Sequence, residues 1–133
     1  MELALTTDGP LATLRIIGTV QMSETQMLAD YLRVARENGA VRCILDLSAC
    51  SVLPTTIMAL LMREGTRFAE AGGALSLSGV SDQNPFLTDA VAAARFLHYR
   101  TLEEACETER VRALAGRIDG GGAVPDNLPP RQS

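Results

Sequence analysis

The chain has 133 residues, 47% of them apolar, which suits one domain with a sizeable hydrophobic core. Only 4% are aromatic and tryptophan is absent, which leaves no stacking platform for single-stranded nucleic acid. Twelve basic against sixteen acidic side chains give a net charge of −4 with no basic run, and this argues against nucleic acid or an anionic membrane as a direct partner.

Alternation at Leu3 and Leu5 predicts a strand over residues 2–7, and Asp8-Gly9-Pro10 is a turn signal. Leu11 to Ile17 alternates again and predicts a second strand in hairpin with the first, closed by Gly18. Ser23 with Gln26 fits a capping box, in which the serine oxygen accepts a free amide and the glutamine reaches back. Met27, Leu28, Tyr31, Leu32 and Ala35 form the apolar stripe of the helix that follows, and Asn38-Gly39 stops it. The apolar run Val41 to Leu47 predicts a buried central strand ending at Asp46, with a loop from Ser48 to Pro54.

Thr55 or Thr56 opens the next helix, whose apolar face is Ile57, Met58, Leu61, Gly65, Phe68 and Ala69 and whose stop is Gly72-Gly73. A strand is expected from Ala74 to Val80. Asn84-Pro85 has the form of an N-cap and first helical residue, ahead of an apolar face of Leu87, Ala90, Val91 and Ala94. A short strand over Phe96 to Tyr99 and a capping box at Thr101 and Glu104 precede a last helix reaching about Val111. The glycines and prolines after Gly116 cannot bury enough surface to offset ordering entropy, so residues 114–133 are expected to form a disordered tail behind a domain at 1–113. Strands and helices that alternate in this way predict an α/β layer fold.

Cys43, Cys50 and Cys106 are odd in number and lack CxxC spacing, so neither a disulfide framework nor a structural zinc site is expected. They read as small buried hydrophobes in a reducing, cytoplasmic setting. The N-terminus has no signal-peptide core, and no stretch reaches the ~18 apolar residues of a membrane span. An enzyme is not expected. His98 has no nearby nucleophile, and no phosphate-binding loop, dinucleotide fingerprint or metal-ligand spacing occurs, so no cofactor and no metal is implied.

One segment is more informative: Asp46-Leu47-Ser48, a short loop, then Pro54-Thr55-Thr56-Ile57-Met58. A buried strand here hands two hydroxyls to the start of an amphipathic helix. The bland alternative is a plain N-cap. The other is a switch, because a phosphate adds about −1.5 to −2 charges at one spot and disrupts a protein contact there.

In this segment the sequence resembles the STAS family of anti-sigma-factor antagonists. The family pattern is a strand ending Asp-Leu-Ser, a loop, then Asp-Ser-Ser-Gly-Leu opening a helix. Asp46-Leu47-Ser48 matches directly, Thr55 and Thr56 fall on the two serines, and Met58 falls on the leucine. Gly18, Arg63 to Gly73 with its Ala71-Gly72-Gly73 break before Ala74 to Leu77, Gly79-Val80-Ser81 and Phe96 to Ala105 agree in order, so the resemblance spans roughly residues 2–112. It implies a small mixed sheet of about five strands flanked by about four helices. It also implies a non-enzymatic protein-binding module with Thr56 as phosphoacceptor and Thr55 as its neighbour. The partner-binding surface would comprise Gln21, Ser23, Glu24, Pro54, Thr55, Thr56, Ile57 and Met58. The implied partner is an anti-sigma factor that is also a serine/threonine kinase. The alternative is the ATPase of a phospholipid-trafficking ABC transporter. Pro54 and Gln21 stand where the family has acids, and Ile57 stands where it has glycine. An apolar patch of Ile57, Met58, Ala59 and Met62, if exposed, would favour partner binding or a weak homodimer.

Overall fold

The computed structural model describes residues 1–52, 56–80 and 97–121. The expected hairpin forms from β1 (Glu2–Asp8) and β2 (Leu11–Thr19), antiparallel with Leu5 opposite Leu14. Next come α1 (Thr25–Glu37), β3 (Arg42–Val52), α2 (Ile57–Glu70), β4 (Ala74–Ser78), β5 (His98–Tyr99) and α3 (Leu102–Gly121). The sheet order is β1-β2-β3-β4-β5, and every pair after the first is parallel. This is the small mixed sheet of about five strands that the resemblance implies. Among the described residues it carries three α-helices, and the helix expected from Asn84 lies outside them.

The sheet is covered on both faces, so its strands alternate between two cores. Ala12, Leu14, Ile16, Cys43, Leu45, Leu47, Leu75 and Leu77 point toward α1 and α2, where they meet Leu28, Leu32, Ile57, Leu61 and Phe68. Leu11 and Ile44 point the other way, against Ala105 of α3, with Tyr99 and Cys106 packed around them. Burial pushes the Cys43 thiol up to about 12. Cys43 is thus the small buried hydrophobe expected, while Cys50 and Cys106 are only half-buried.

Three boundaries differ from the sequence reading. First, β3 does not end at Asp46. Its pairing with β4 stops there, at Asp46 opposite Ser78, but β3 continues beside β2 to Val52. Ile17 faces Ala49 and Thr19 faces Val52, so β3 carries an extra residue at each of two irregularities. The buried Asp46 carboxylate marks this departure, accepting from the Ser48 amide at 3.1 Å and the Ser78 hydroxyl at 3.3 Å, with Arg15 Nε at 3.7 Å.

Second, the capping box before α1 is not Ser23 with Gln26. A short 3-10 turn (Met22–Glu24) comes first, and the Gln21 amide donates to Glu24 Oε1 at 2.9 Å. The Gln26 side chain donates forward to Asp30 at 3.0 Å. The buried face of α1 is Leu28, Ala29, Leu32 and Ala35, whereas Met27 is 48% exposed. On α2 the buried face is Ile57, Met58, Leu61, Glu64 and Phe68, with Glu64 taking a place expected for apolar residues and Ala69 left exposed.

Third, α3 runs to Gly121, well past Val111, so the boundary expected at residue 114 falls inside a helix. Residues 122–133 lie outside the described residues. The Glu104 amide donates to Thr101 Oγ1 at 3.1 Å, half of the expected box, but the Glu104 carboxylate accepts from the Arg100 amide and not from Thr101. Five residues on, the fully buried Glu109 receives Arg42 Nε at 2.9 Å and the Tyr99 hydroxyl at 2.7 Å. No described helix is long and apolar enough to cross a membrane.

Candidate functional site

The end of β2 and the end of β3 lie side by side, with Thr19 opposite Val52. The chain leaving β2 therefore starts α1 close to where α2 begins. Between them lies an open groove of about 340 Å³ lined by Met22, Thr25 and Gln26 on one wall and Thr56, Ala59, Leu60 and Arg63 on the other. Each wall has helical spacing. Positions 22, 25 and 26 run i, i+3, i+4, and positions 56, 59, 60 and 63 run i, i+3, i+4, i+7.

Thr56 is the N-cap residue of α2 by position, but its backbone is helical (φ −62°, ψ −20°) and its side chain makes no capping hydrogen bond. A capping threonine normally has an extended backbone and spends its oxygen on an amide. Thr56 does neither and is exposed. The bland reading of this hydroxyl, as a plain cap, therefore does not hold.

Of the other residues expected here, Gln21 and Ser23 are exposed and Glu24 is half-buried, next to the Met22 wall. Pro54 and Thr55 lie outside the described residues. Ile57 is fully buried and Met58 is 8% exposed, so both belong to the core beneath the site and present no surface to a partner. The expected apolar patch is reduced to Ala59 and to Met62, which is 53% exposed. Met22, at 67% exposure, supplies the apolar surface instead.

Below the groove, Glu64 is buried and set among three arginines. Arg36 of α1 bonds to its Oε1, while Arg67 Nη1 and Arg63 Nε approach Oε2 at 3.3 and 3.6 Å. The Arg36 guanidinium also lies over the Phe68 ring, 5.6 Å from its centroid. One negative charge thus faces three positive ones, and the excess reaches the surface through Arg63 and Arg67, which are 56% and 50% exposed. Among the described residues no cluster of three metal-ligating side chains occurs.

No protein-family profile matches the sequence, and no curated protein matches it. Solved structures do match. An anti-sigma-factor antagonist (STAS) domain protein from Planctomyces limnophilus superposes with a TM-score of 0.64 at 17% identity, covering 81% of this chain and 97% of its own. The fold is that of a STAS domain. An anti-sigma factor antagonist from Mycobacterium paratuberculosis gives 0.65 at 19% identity, over 82% of this chain and 93% of that one. The Bacillus cell fate determinant SpoIIAA, in its phosphorylated form, gives 0.66 at 15% identity, over 84% of this chain and all of the other. These likenesses, all under 20% identity, show the fold. In this fold the groove lies at the start of α2, where the segment that carries Thr56 enters the helix.

Met22 and Thr25 fall in the loop after the second strand, about Val20 to Thr25, where the resemblance implies partner binding, whereas Leu60, Arg63 and the groove role of Gln26 were missed. Thr25, Gln26 and Arg63, three polar or charged members of the two walls, sit at helical spacing from residues already singled out. Continuing the i, i+3, i+4, i+7 count outward from Thr56 would have found Ala59, Leu60 and Arg63.

Proposed function

We propose that this STAS domain is a regulatory protein-binding module of the anti-sigma-factor-antagonist kind, with the groove between α1 and α2 as its docking surface and Thr56 as its switch. The observation that carries the reading is that Thr56 is exposed in a groove with its hydroxyl unspent on capping. The groove is open and combines apolar and hydrogen-bonding walls. A partner kinase would move the γ-phosphoryl group of ATP onto the Thr56 oxygen. The hydroxyl proton would go to a base of the kinase, and ADP would leave. The dianion so formed would weaken docking by repulsion and desolvation.

The experiment is incubation of the purified chain with ATP and a purified GHKL-type serine/threonine kinase, read by intact mass. One added phosphate that is lost in Thr56→Ala supports the reading. Equal modification of that variant removes Thr56 from the mechanism. Co-purification with an ABC ATPase instead of a kinase would replace the antagonist reading by that of a transporter subunit.

A further inference from the structure

We propose that Arg63 is the built-in counter-ion for a phosphate on Thr56, holding the phosphoryl group inside the groove. The inference rests on Thr56 being the phosphoacceptor. Both residues line the same groove, and they stand two helical turns apart, which brings them to nearly the same face of α2. Side chains on a helix lean toward its N-terminus, so Arg63 extends in the direction of Thr56. The groove, at about 340 Å³, has room for a phosphoryl group beside both side chains.

The Glu64 cluster explains why Arg63 is available. Its only ion-pair partner among the described residues is Glu64, through Nε at 3.6 Å, and Glu64 is also held by Arg36 and Arg67. Turning Arg63 toward a dianion therefore leaves the buried carboxylate paired. Contact through Nε would keep the two terminal nitrogens for a forked bond to phosphate oxygens, the geometry in which arginine binds phosphate most strongly. Arg67 has the same charge and a similar exposure but does not line the groove. A phosphate clamped by Arg63 would span the α2 wall and fill the space facing Met22, Thr25 and Gln26. Phosphorylation would then close the docking groove as well as charge it.

The test uses the full chain with phosphothreonine installed at position 56 during synthesis, so that it does not depend on any kinase accepting the protein. A phosphate titration followed by phosphorus NMR reads the second ionisation, ordinarily near pH ~6. The expected result is a midpoint lowered by about half a unit or more by the nearby guanidinium, restored in Arg63→Gln and retained in Arg67→Gln. Equal midpoints in the parent and Arg63→Gln overturn the proposal, as does an equal rise in both variants. Without any substitution, the Arg63 Nε–H resonance should move as the phosphate ionises, and a resonance that stays still also overturns it. Failure of a kinase to modify Thr56 would strike the switch reading alone.

Discussion

Arg42 Nε lies 2.9 Å from Glu109 Oε1, tying the first residue of the central strand to the middle of the last helix. Glu109 is fully buried, and its other oxygen takes the Tyr99 hydroxyl at 2.7 Å with Arg112 at 3.6 Å. One carboxylate thus joins β3, β5 and α3 on the face of the sheet that has the smaller apolar core. Where few apolar side chains meet, a satisfied polar hub fixes which packing is adopted.

Removing one partner of such a pair leaves the other buried and uncompensated. Glu109→Ala should lower the unfolding free energy by about 3–5 kcal/mol, because the Arg42 side chain is only 14% exposed. Glu109→Gln keeps the volume and some hydrogen bonds and should lose less. Urea unfolding checks both, and a loss under about 1 kcal/mol for the alanine variant would show that the hub is dispensable.

Tyr99 should titrate late. Partial burial first, and then its hydrogen bond and proximity to the Glu109 carboxylate, push its hydroxyl up to about 12 from 10.0. Because the folded value is the higher one, the stabilisation is complete below pH 10, is lost as pH rises, and is gone above about 12. Tyr31 and Tyr99 are the chain's two tyrosines, so Tyr31→Phe isolates the signal. Near-ultraviolet absorbance should then show one late ionisation, moved to lower pH by Glu109→Gln. A midpoint at the ordinary tyrosine value in the folded protein would contradict the Glu109 contact.

Two glycines are required by close approach. A Cβ on Gly73 would lie 1.5 Å from the Val41 carbonyl oxygen, where β4 enters the sheet beside β3. A Cβ on Gly79 would meet Ser48 at 2.7 Å, and Gly79 also has φ +71°. Each alanine variant should destabilise by at least ~1–3 kcal/mol, Gly73→Ala the more, since its Cβ would overlap backbone at 1.5 Å whereas that of Gly79 meets Ser48 Cβ and backbone N at 2.7 and 2.8 Å. Urea midpoints test the order.

Thr56→Ala should leave stability almost unchanged, within about 0.5 kcal/mol, although the residue stands at a helix N-cap. Removing a threonine that does cap an amide costs about 1 kcal/mol, and Thr56 makes no such bond. Thermal unfolding of the pair decides it. A loss of 1 kcal/mol or more would mean that the hydroxyl is occupied in solution and less free for a partner.

The hairpin, the central apolar strand, both amphipathic helices and the Gly72-Gly73 stop were legible in the sequence because each is a local pattern: a period, a cap or a breaker. The same patterns placed Thr56 at a helix start. Asp46 is instructive, because a polar residue in an apolar run looks like an end. It does end the pairing with β4, but β2 continues to pair beyond it, and no feature of residues 48–52 alone announces a neighbour contributed by another strand.

What the sequence determined by itself, then, was the set of elements and their order, since hydrophobic periodicity and turn chemistry act over a few residues. Tertiary structure decided where charge is buried and which surfaces meet. Glu64 and Glu109 look like ordinary exposed helix acids until Arg36 and Arg42, 28 and 67 residues away, are brought to them. Likewise Met22 and Arg63 became facing walls of one groove only when parallel strands set the starts of α1 and α2 side by side. The physical reason is that pairing between distant charges and walls depends on the three-dimensional path of the chain, which local preferences constrain but do not encode.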